Sequence, residues 1–435
     1  MRVVDSSGLG CKELEQLLAR TVFDSVCDEE KAVASILDEV RRHGDAALRK
    51  LTARFDGVKL TDLKVGKKEF AAAYNLVSKE FLDALALARD NIADFSRRQL
   101  QNSWFKFTEK GSMLGEIWRP LASVGCYAPG GTARYPSSVL MTVVPAVAAG
   151  VERVYLSSPA RSDGSIDPHV LVAAAEAGAH TFYKLGGAQA IAAMAFGTES
   201  VSRVDKIVGP GNIYVTLAKR AVFGYVDIDM LAGPSEVLVL ADKTTDPSFA
   251  AADMLAQAEH DPRARAILVT TDQSIALAVK AELSRQLAEL PRRDIAEASL
   301  KNGGLLLLAP DMDKALELVN MAAPEHLIVL TENPQALLPR ITAAGALFLG
   351  DFSPESVGDY LAGPNHVLPT SSTARFSSPL SAWEFIKRSS LISYSCEELA
   401  SVADSINLLA AVEGLEGHAA AVRIRMDKLA RKKPE

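Results

Sequence analysis

The sequence predicts an α/β protein with two doubly wound units in tandem and helical segments at both ends of the chain. Three observations predict it. From Leu121 onward, short β-rich runs bounded by Gly and Pro alternate with alanine-rich helical stretches, the pattern of a parallel sheet wrapped by helices. The first hundred residues instead place apolar side chains at helical spacing, as in Val33, Ile36, Leu37 and Val40 behind the acidic start Asp28-Glu29-Glu30. The length, 435 residues, suits roughly two or three domains.

In chain order, a first helical block opens at residue 28 and a second runs from about 67 to 100. Strands are expected at 153–157, 181–185, 205–208 and 236–240, with helices at 168–177 and 188–196 between them. A second series follows, with helices at 247–259 and 274–289 and strands at 266–270, 305–308, 327–330 and 346–349. The tail from 383 to 435 is expected to return to helix and closes on the solvated basic run after Lys428.

Composition removes several classes of function. There are 47 Lys and Arg against 54 Asp and Glu, a net charge of −7, so the electrostatic footprint of a nucleic-acid binder is missing. The longest apolar stretch, 139–151, contains Pro145 and Gly150 and falls short of the roughly 20 residues a spanning helix needs. The first residues lack the apolar core of a secretory signal, and Cys11, Cys27, Cys126 and Cys396 form no CxxC, as in a reducing compartment. No membrane or nucleic-acid partner and a cytoplasmic location are expected.

Several segments carry candidate chemistry. The stretch from Val124 leaves a strand, turns on Pro129-Gly130-Gly131 and presents Thr132, Ser137 and Ser138 before an apolar helix. Glycines admit a ligand to the backbone and helix starts accept anions, although a tight interdomain turn has the same composition. Gly186-Gly187 and Gly209-Pro210-Gly211 likewise end strands and open helices, where open parallel sheets hold nucleotides. The dinucleotide fingerprint is incomplete, because Tyr214 stands at its third glycine. Asp227 and Asp229 are candidate ribose-binding acids. Cys126 is a candidate nucleophile, or a small buried hydrophobe without a neighbouring histidine.

Gln257 and His260 lie three apart on one face at a helix end and could hold a borderline divalent ion, or His260 could simply answer the helix dipole. Glu325-His326 sets an acid beside an imidazole ahead of an apolar strand, as an acid–base pair or as a solvated loop. Asp351, Glu355 and Asp359 precede His366, and Glu413 and His418 share a turn; any of these could be an ordinary surface group.

Together these segments resemble the histidinol dehydrogenase family. The blocks that carry the resemblance begin at Val124 (VGCYAPGGTARYPSSVLM), Lys184 (KLGGAQAIAAMAFGT), Lys206 (KIVGPGN), Asp229 (DMLAGPSE), Leu255 (LAQAEHDP), Asn320 (NMAAPEHL), Gly358 (GDYLAGPNHVLPT) and Gly414 (GLEGHAAAVRIR). They run in the family's order over about two thirds of the chain, with Gly417 where alanine is common.

The resemblance implies NAD-dependent four-electron oxidation of L-histidinol to L-histidine through L-histidinaldehyde, with one zinc per subunit. It implies Glu325 and His326 as the catalytic pair and Gln257, His260, Asp359 and His418 as zinc ligands. Substrate contacts would be these six residues with Ser235, His366 and Glu413, and NAD contacts Tyr127, Gln189 and Asn212. His326 would remove the alcohol proton and act again in the second hydride step, and Glu325 would activate the water that hydrates the aldehyde.

The family fold implies two tandem incomplete Rossmann-like units, 28–129 with 238–380 and 130–237, between an N-terminal dimerisation segment, 1–27, and a helical segment, 381–435, that reaches the partner subunit of a homodimer. The rival expectations are a paralogous zinc- and NAD-dependent dehydrogenase of another small charged alcohol, and a nucleotide-binding metalloprotein without turnover.

Overall fold

The computed structural model describes residues 1–18, 26–130 and 134–431. Gly131 and Thr132 of the first glycine turn lie outside the described residues. The chain opens with strand β1 (Arg2–Asp5) and helix α1 (Cys11–Leu18), and α2 (Cys27–Phe55), α3 (Lys67–Tyr74) and α4 (Lys79–Gln99) form the expected helical block. The acids Asp28, Glu29 and Glu30 sit in the first turn of α2, where the dipole favours them, and Val33, Ile36, Leu37 and Val40 are buried along one face.

After β2 (Trp104–Phe107) and β3 (Met113–Pro120), the first α/β series is β4 (Ser123–Tyr127), α5 (Pro136–Ala148), β5 (Arg153–Ser157), α6 (Pro168–Ala177), β6 (Thr181–Tyr183), α7 (Gly187–Phe196), β7 (Lys206–Val208), α8 (Ile213–Val222) and β8 (Asp227–Ile228). Local chemistry sets its punctuation. Asp167 caps α6 by accepting from the His169 N–H, Pro168 takes the first helical position, and Gly178 ends the helix at φ 88°. The five strands pair in parallel in the order β6-β5-β4-β7-β8. Counted by appearance this is 3-2-1-4-5, a doubly wound sheet whose switch point falls between β4 and β7.

The second series is β9 (Glu236–Ala241), α9 (Pro247–Ala258), β10 (Arg265–Thr270), α10 (Gln273–Leu287), α11 (Arg293–Gly303), β11 (Leu305–Leu308), α12 (Met312–Ala322), β12 (His326–Leu330), β13 (Ala346–Leu349) and the short helix α13 (Glu355–Tyr360). Its sheet runs β1-β11-β10-β9-β12-β13, all parallel, so β9 to β13 repeat the 3-2-1-4-5 order and β1 extends the edge beside β11. Each series stops one strand short of the full six-strand order, which makes both incomplete Rossmann-like units, as expected.

Burial explains the continuous apolar runs. All six residues of β9 are buried. Val237 and Val239 pack with Ala250, Ala251 and Met254 of α9, and Leu238 and Leu240 pack on the opposite face with Leu316 and Val319 of α12.

β4 bonds to β5 and β7 in the five-stranded sheet, and α2 and α4 pack on α7, α8 and α5 of that same layer. One expectation needs correction. The tail does not return to helix at 383: Ile386–Ser393 is strand β14, antiparallel to β3 over eight residue pairs, with β2 on the other side of β3. Its sequence, IKRSSLIS, is largely exposed and lacks apolar alternation, so pairing with β3 and not propensity makes it a strand. Residues 100–120 and 386–435 form a second compact unit, in which α14 (Cys396–Val412) and α15 (Glu416–Ala430) follow β14.

Candidate active site

His326 is the first residue of β12 and lies opposite Val237 of β9, at the amino end of the six-stranded sheet. α9 follows β9, returns antiparallel to it, and so delivers its last turn to this same end. Two groups approach His326 Nδ1 at 3.1 Å: the backbone carbonyl of Glu236 and Nε2 of Gln257. They ask for opposite tautomers. The carbonyl is held by strand β9 and can only accept, so Nδ1 carries the hydrogen and the lone pair lies on Nε2. Nε2 is buried and has no hydrogen-bond partner among the described residues. Burial pushes the imidazole down to about 3, with His366 and His260 adding to the effect against the Glu236 hydrogen bond, so the ring is neutral.

Glu325 precedes it, equally buried, and its Oε2 accepts from the Glu236 N–H at 2.8 Å. That oxygen stands 3.8 Å from His326 Nδ1. On α13, Glu355 and Asp359 are four residues apart and share one face. Glu355 Oε1 stands 4.0 Å from His326 Nε2, and its Oε2 is buried without a partner. Single ligand atoms of His260, Glu355 and Asp359 all lie within 4.8 Å of one another.

Four carboxyls thus crowd one end of the sheet, since Asp253 precedes Gln257 by one turn of α9. Burial raises Glu325 and Glu355 well above the carboxylate range, Asp253 to about 7 and Asp359 to about 6, the last eased by His260. Among the described residues none of the four is paired with a lysine or arginine. Buried carboxyl oxygens with imidazole nitrogen beside them are a donor set suited to a divalent cation of zinc type, which would favour their charged form.

His366 closes the site from the loop after α13. Its Nδ1 lies 3.0 Å from the Asp359 carbonyl and its Nε2 3.5 Å from Ser138 Oγ at the start of α5. Burial holds this ring down to about 4, so it too is neutral. Asn365 donates to the Met141 carbonyl at 2.6 Å, a second tie between this loop and α5. Ser235 sits directly before β9, where its carbonyl accepts from Arg265 N–H.

The other residues gather at the carboxyl end of the five-stranded sheet. Tyr127 ends β4 and its buried hydroxyl accepts from the Gly187 N–H at 3.0 Å. Gln189 is buried in the first turn of α7, and Asn212 caps α8 by accepting from Tyr214 and Val215 N–H at 3.1 and 3.2 Å. Gly209 has φ 116°, and a Cβ there would meet the Tyr127 carbonyl at 2.1 Å, so only glycine fits at the switch point. Asp229 accepts from the Gly209 N–H at 2.8 Å and pairs with buried Lys219, whose ammonium also reaches the Gly209 carbonyl at 2.9 Å. Asp227 pairs with Lys206 at 2.8 Å. Neither acid is therefore free for a ribose. Cys126 is fully buried and donates to the Thr142 carbonyl, and burial drives its thiol far up, which fits the inert reading.

Glu413 caps the end of α14 and His418 lies in the first turn of α15, both exposed in the second unit. Sequence reasoning gave Glu355 and Asp253 no role. Glu355 had a signal, its four-residue spacing from Asp359; the Glu236 carbonyl had none, because it acts through the backbone.

Fold and site together define a protein of two α/β layers, one with a buried Glu–His pair and the other with a glycine-lined crevice at its strand ends. Residues 20–426 match the family model described as "Histidinol dehydrogenase". A histidinol dehydrogenase of Geobacillus kaustophilus (strain HTA426) is 54% identical over 411 residues, 94% of this chain and 97% of that protein. Those of Bacillus subtilis (strain 168) and of Synechococcus sp. (strain ATCC 27144 / PCC 6301 / SAUG 1402/1) are 52% and 49% identical, over 95% and 99% of this chain and 97% and 100% of theirs. The crystal structure of histidinol dehydrogenase from Elizabethkingia anophelis superposes with a TM-score of 0.94 at 39% identity, covering 99% of both chains. The chain belongs to the histidinol dehydrogenase family, and it is an NAD-linked oxidoreductase.

Proposed function

We propose that this protein oxidises L-histidinol to L-histidine through L-histidinaldehyde, passing two hydrides to NAD. The observation that carries the reading is the Glu325–His326 pair, buried at the amino end of the sheet with the unpartnered Nε2 facing a cluster of N and O donors.

His326 Nε2 accepts the alcohol proton as hydride leaves, and accepts again in the second oxidation. Carboxylates stand 3.8 Å from Nδ1 and 4.0 Å from Nε2, placed to stabilise the imidazolium that forms. Glu325 has one oxygen tied to the Glu236 N–H, leaving the other to take a proton from the water that hydrates the aldehyde. NAD is held at the carboxyl end of the five-stranded sheet by Tyr127, Gln189 and Asn212. Ser235, His366 and Glu413 contact the substrate.

One zinc per subunit would be held by Gln257, His260, Asp359 and His418. The orphaned Glu355 oxygen and the His260–Glu355–Asp359 cluster support a cation here. When bound, it supplies orientation of a small polar substrate. Glu413 and His418 come from the partner subunit of a homodimer in this reading. Exposed Leu408, Leu409, Val412 and Ile424 on α14 and α15 support an apolar interface there. The terminal segments 1–27 and 381–435 would build that dimer. Among the described residues no helix is long and apolar enough to cross a membrane, and the scattered cysteines support a cytoplasmic location.

The test is NADH formation by the purified protein with zinc, NAD and L-histidinol; none above background, with zinc shown to be bound, sinks the reading. The division of labour is tested by Glu325→Gln, expected to leave the first oxidation largely intact and to slow aldehyde conversion. Equal loss in both steps would refute it.

A further inference from the structure

We infer that Glu355 is a ligand of the metal in the substrate-free enzyme, a position it gives up when substrate arrives. The inference deepens the proposed function and rests on its metal site at His260 and Asp359.

The placement of Glu355 is the first ground. Asp359 is one helical turn further along α13, so both carboxylates leave the same face and meet His260 beyond the end of α9. Their ligand atoms lie within 4.8 Å of one another, whereas two ligand atoms on one tetrahedral zinc stand roughly 3.3–3.6 Å apart. Side-chain rotations that move these atoms by about an ångström close that gap. His260 is exposed and free to make that rotation.

The second ground is an unexplained atom. The Glu355 side chain is 3% exposed and its Oε2 has no hydrogen-bond partner among the described residues. A buried carboxylate with no cation and an oxygen without a donor is costly to keep, and a native site that keeps one has a use for it. A divalent ion answers both deficits, since it supplies charge and takes the lone pair. No lysine or arginine among the described residues pairs with Glu355: its close neighbours are the carboxyls of Asp253, Glu325 and Asp359, the neutral ring of His326 and the His260 imidazole, itself a metal ligand in the proposed site.

The third ground is where Glu355 can go. Its other oxygen already stands 4.0 Å from His326 Nε2, the lone-pair nitrogen. A substrate that donates its own nitrogen or oxygen to the metal displaces a monodentate carboxylate without removing it from the site. The released carboxylate then faces the nitrogen that becomes protonated. Glu355 therefore belongs to the metal before substrate binds and to the base afterwards.

The test compares the wild type with Glu355→Gln, which keeps the shape and removes the charge, and Glu355→Ala, which removes the donor. Zinc affinity is measured without substrate by competition with a chromophoric chelator, and the visible spectrum of the cobalt-loaded proteins reports coordination. Both variants are expected to bind zinc at least about tenfold more weakly than the wild type and to show altered cobalt spectra. On saturation with L-histidinol the cobalt spectra of wild type and Glu355→Gln are expected to converge. Wild-type zinc affinity and an unchanged substrate-free cobalt spectrum in both folded variants overturn the inference, whatever their turnover, and leave Glu355 acting on His326 alone. A wild type that holds no zinc overturns it as well. A wild type that holds zinc but does not oxidise L-histidinol sinks the proposed function and leaves the ligand assignment standing.

Discussion

The two parallel sheets share one strand order, yet their candidate site residues gather at opposite ends. The six-stranded sheet presents Glu325 and His326 at the amino ends of its strands; the five-stranded sheet presents its glycine turns at the carboxyl ends. At the first end polar groups are buried and left short of partners, with an orphaned imidazole nitrogen and an orphaned carboxylate oxygen. At the second nearly every polar group is spoken for: Lys219, Asp229 and Gly209 bind one another, Asn212 caps a helix, and the Tyr127 hydroxyl takes the Gly187 N–H. The difference teaches where each end obtains its order. An unsatisfied end is completed by what binds it, whereas a satisfied end is a cradle that exists beforehand.

This contrast can be broken by mutation. His326→Asn is expected to lower kcat by about 10²–10⁴-fold while the thermal midpoint holds or rises, because a general base is lost but the Asn amide can still donate to the Glu236 carbonyl in place of Nδ1–H. A variant within tenfold of the wild type, or one that unfolds, would place His326 in the scaffold instead. Lys219→Met attacks the other end and should cost about 3–5 kcal/mol in denaturant unfolding, since Asp229 is left buried and unpaired. A loss under about 1 kcal/mol, the scale of an exposed pair, would mean that the buried pair does not hold the Gly209 turn.

The smallest test concerns an exception at the satisfied end. Asp56, just past α2 and near Tyr127, has a buried oxygen without a hydrogen-bond partner among the described residues, and burial lifts its carboxyl to about 6. An acid whose pKa is raised on folding holds its proton more tightly when folded. The stability it contributes is therefore full below its ordinary value of 3.8 and is lost as pH rises to about 6. Asp56→Asn should match the wild type near pH 4 and be more stable by about 1–2 kcal/mol at pH 8. Equal stability at both values would show that the carboxylate finds water.

How much of this was legible in the sequence follows the same division. Val, Ile and Leu runs such as Glu236–Ala241 announce buried parallel strands, and Gly186, Gly209 and the Asp-Pro starts of α6 and α9 announce where helices begin. These signals are local, so the doubly wound units could be read. Strand β14 could not, because its polar run becomes a strand only against β3. The Glu325–His326 pair stood out as adjacent residues, and the wider candidate site came through resemblance to a family. What neither route supplied was Glu355 and the Glu236 carbonyl. The first acts through a spacing that surface helices also show, and the second through a backbone atom that every residue possesses.

The β3–β14 pairing also bears on how the chain reaches its fold. Strands β4 to β13, every strand of the two doubly wound sheets except the edge strand β1, lie between these two partners in the sequence. Closing so long a loop costs only about 0.6 kcal/mol per doubling of its length, so eight residue pairs can hold it once made. The encounter itself is slow, because contacts of such high sequence separation come late. A ribosome-bound chain halted before residue 386 would hold β2 and β3 without their partner strand β14. The second unit is thus the natural timekeeper of biogenesis: it cannot form until the strands of both doubly wound sheets have been made.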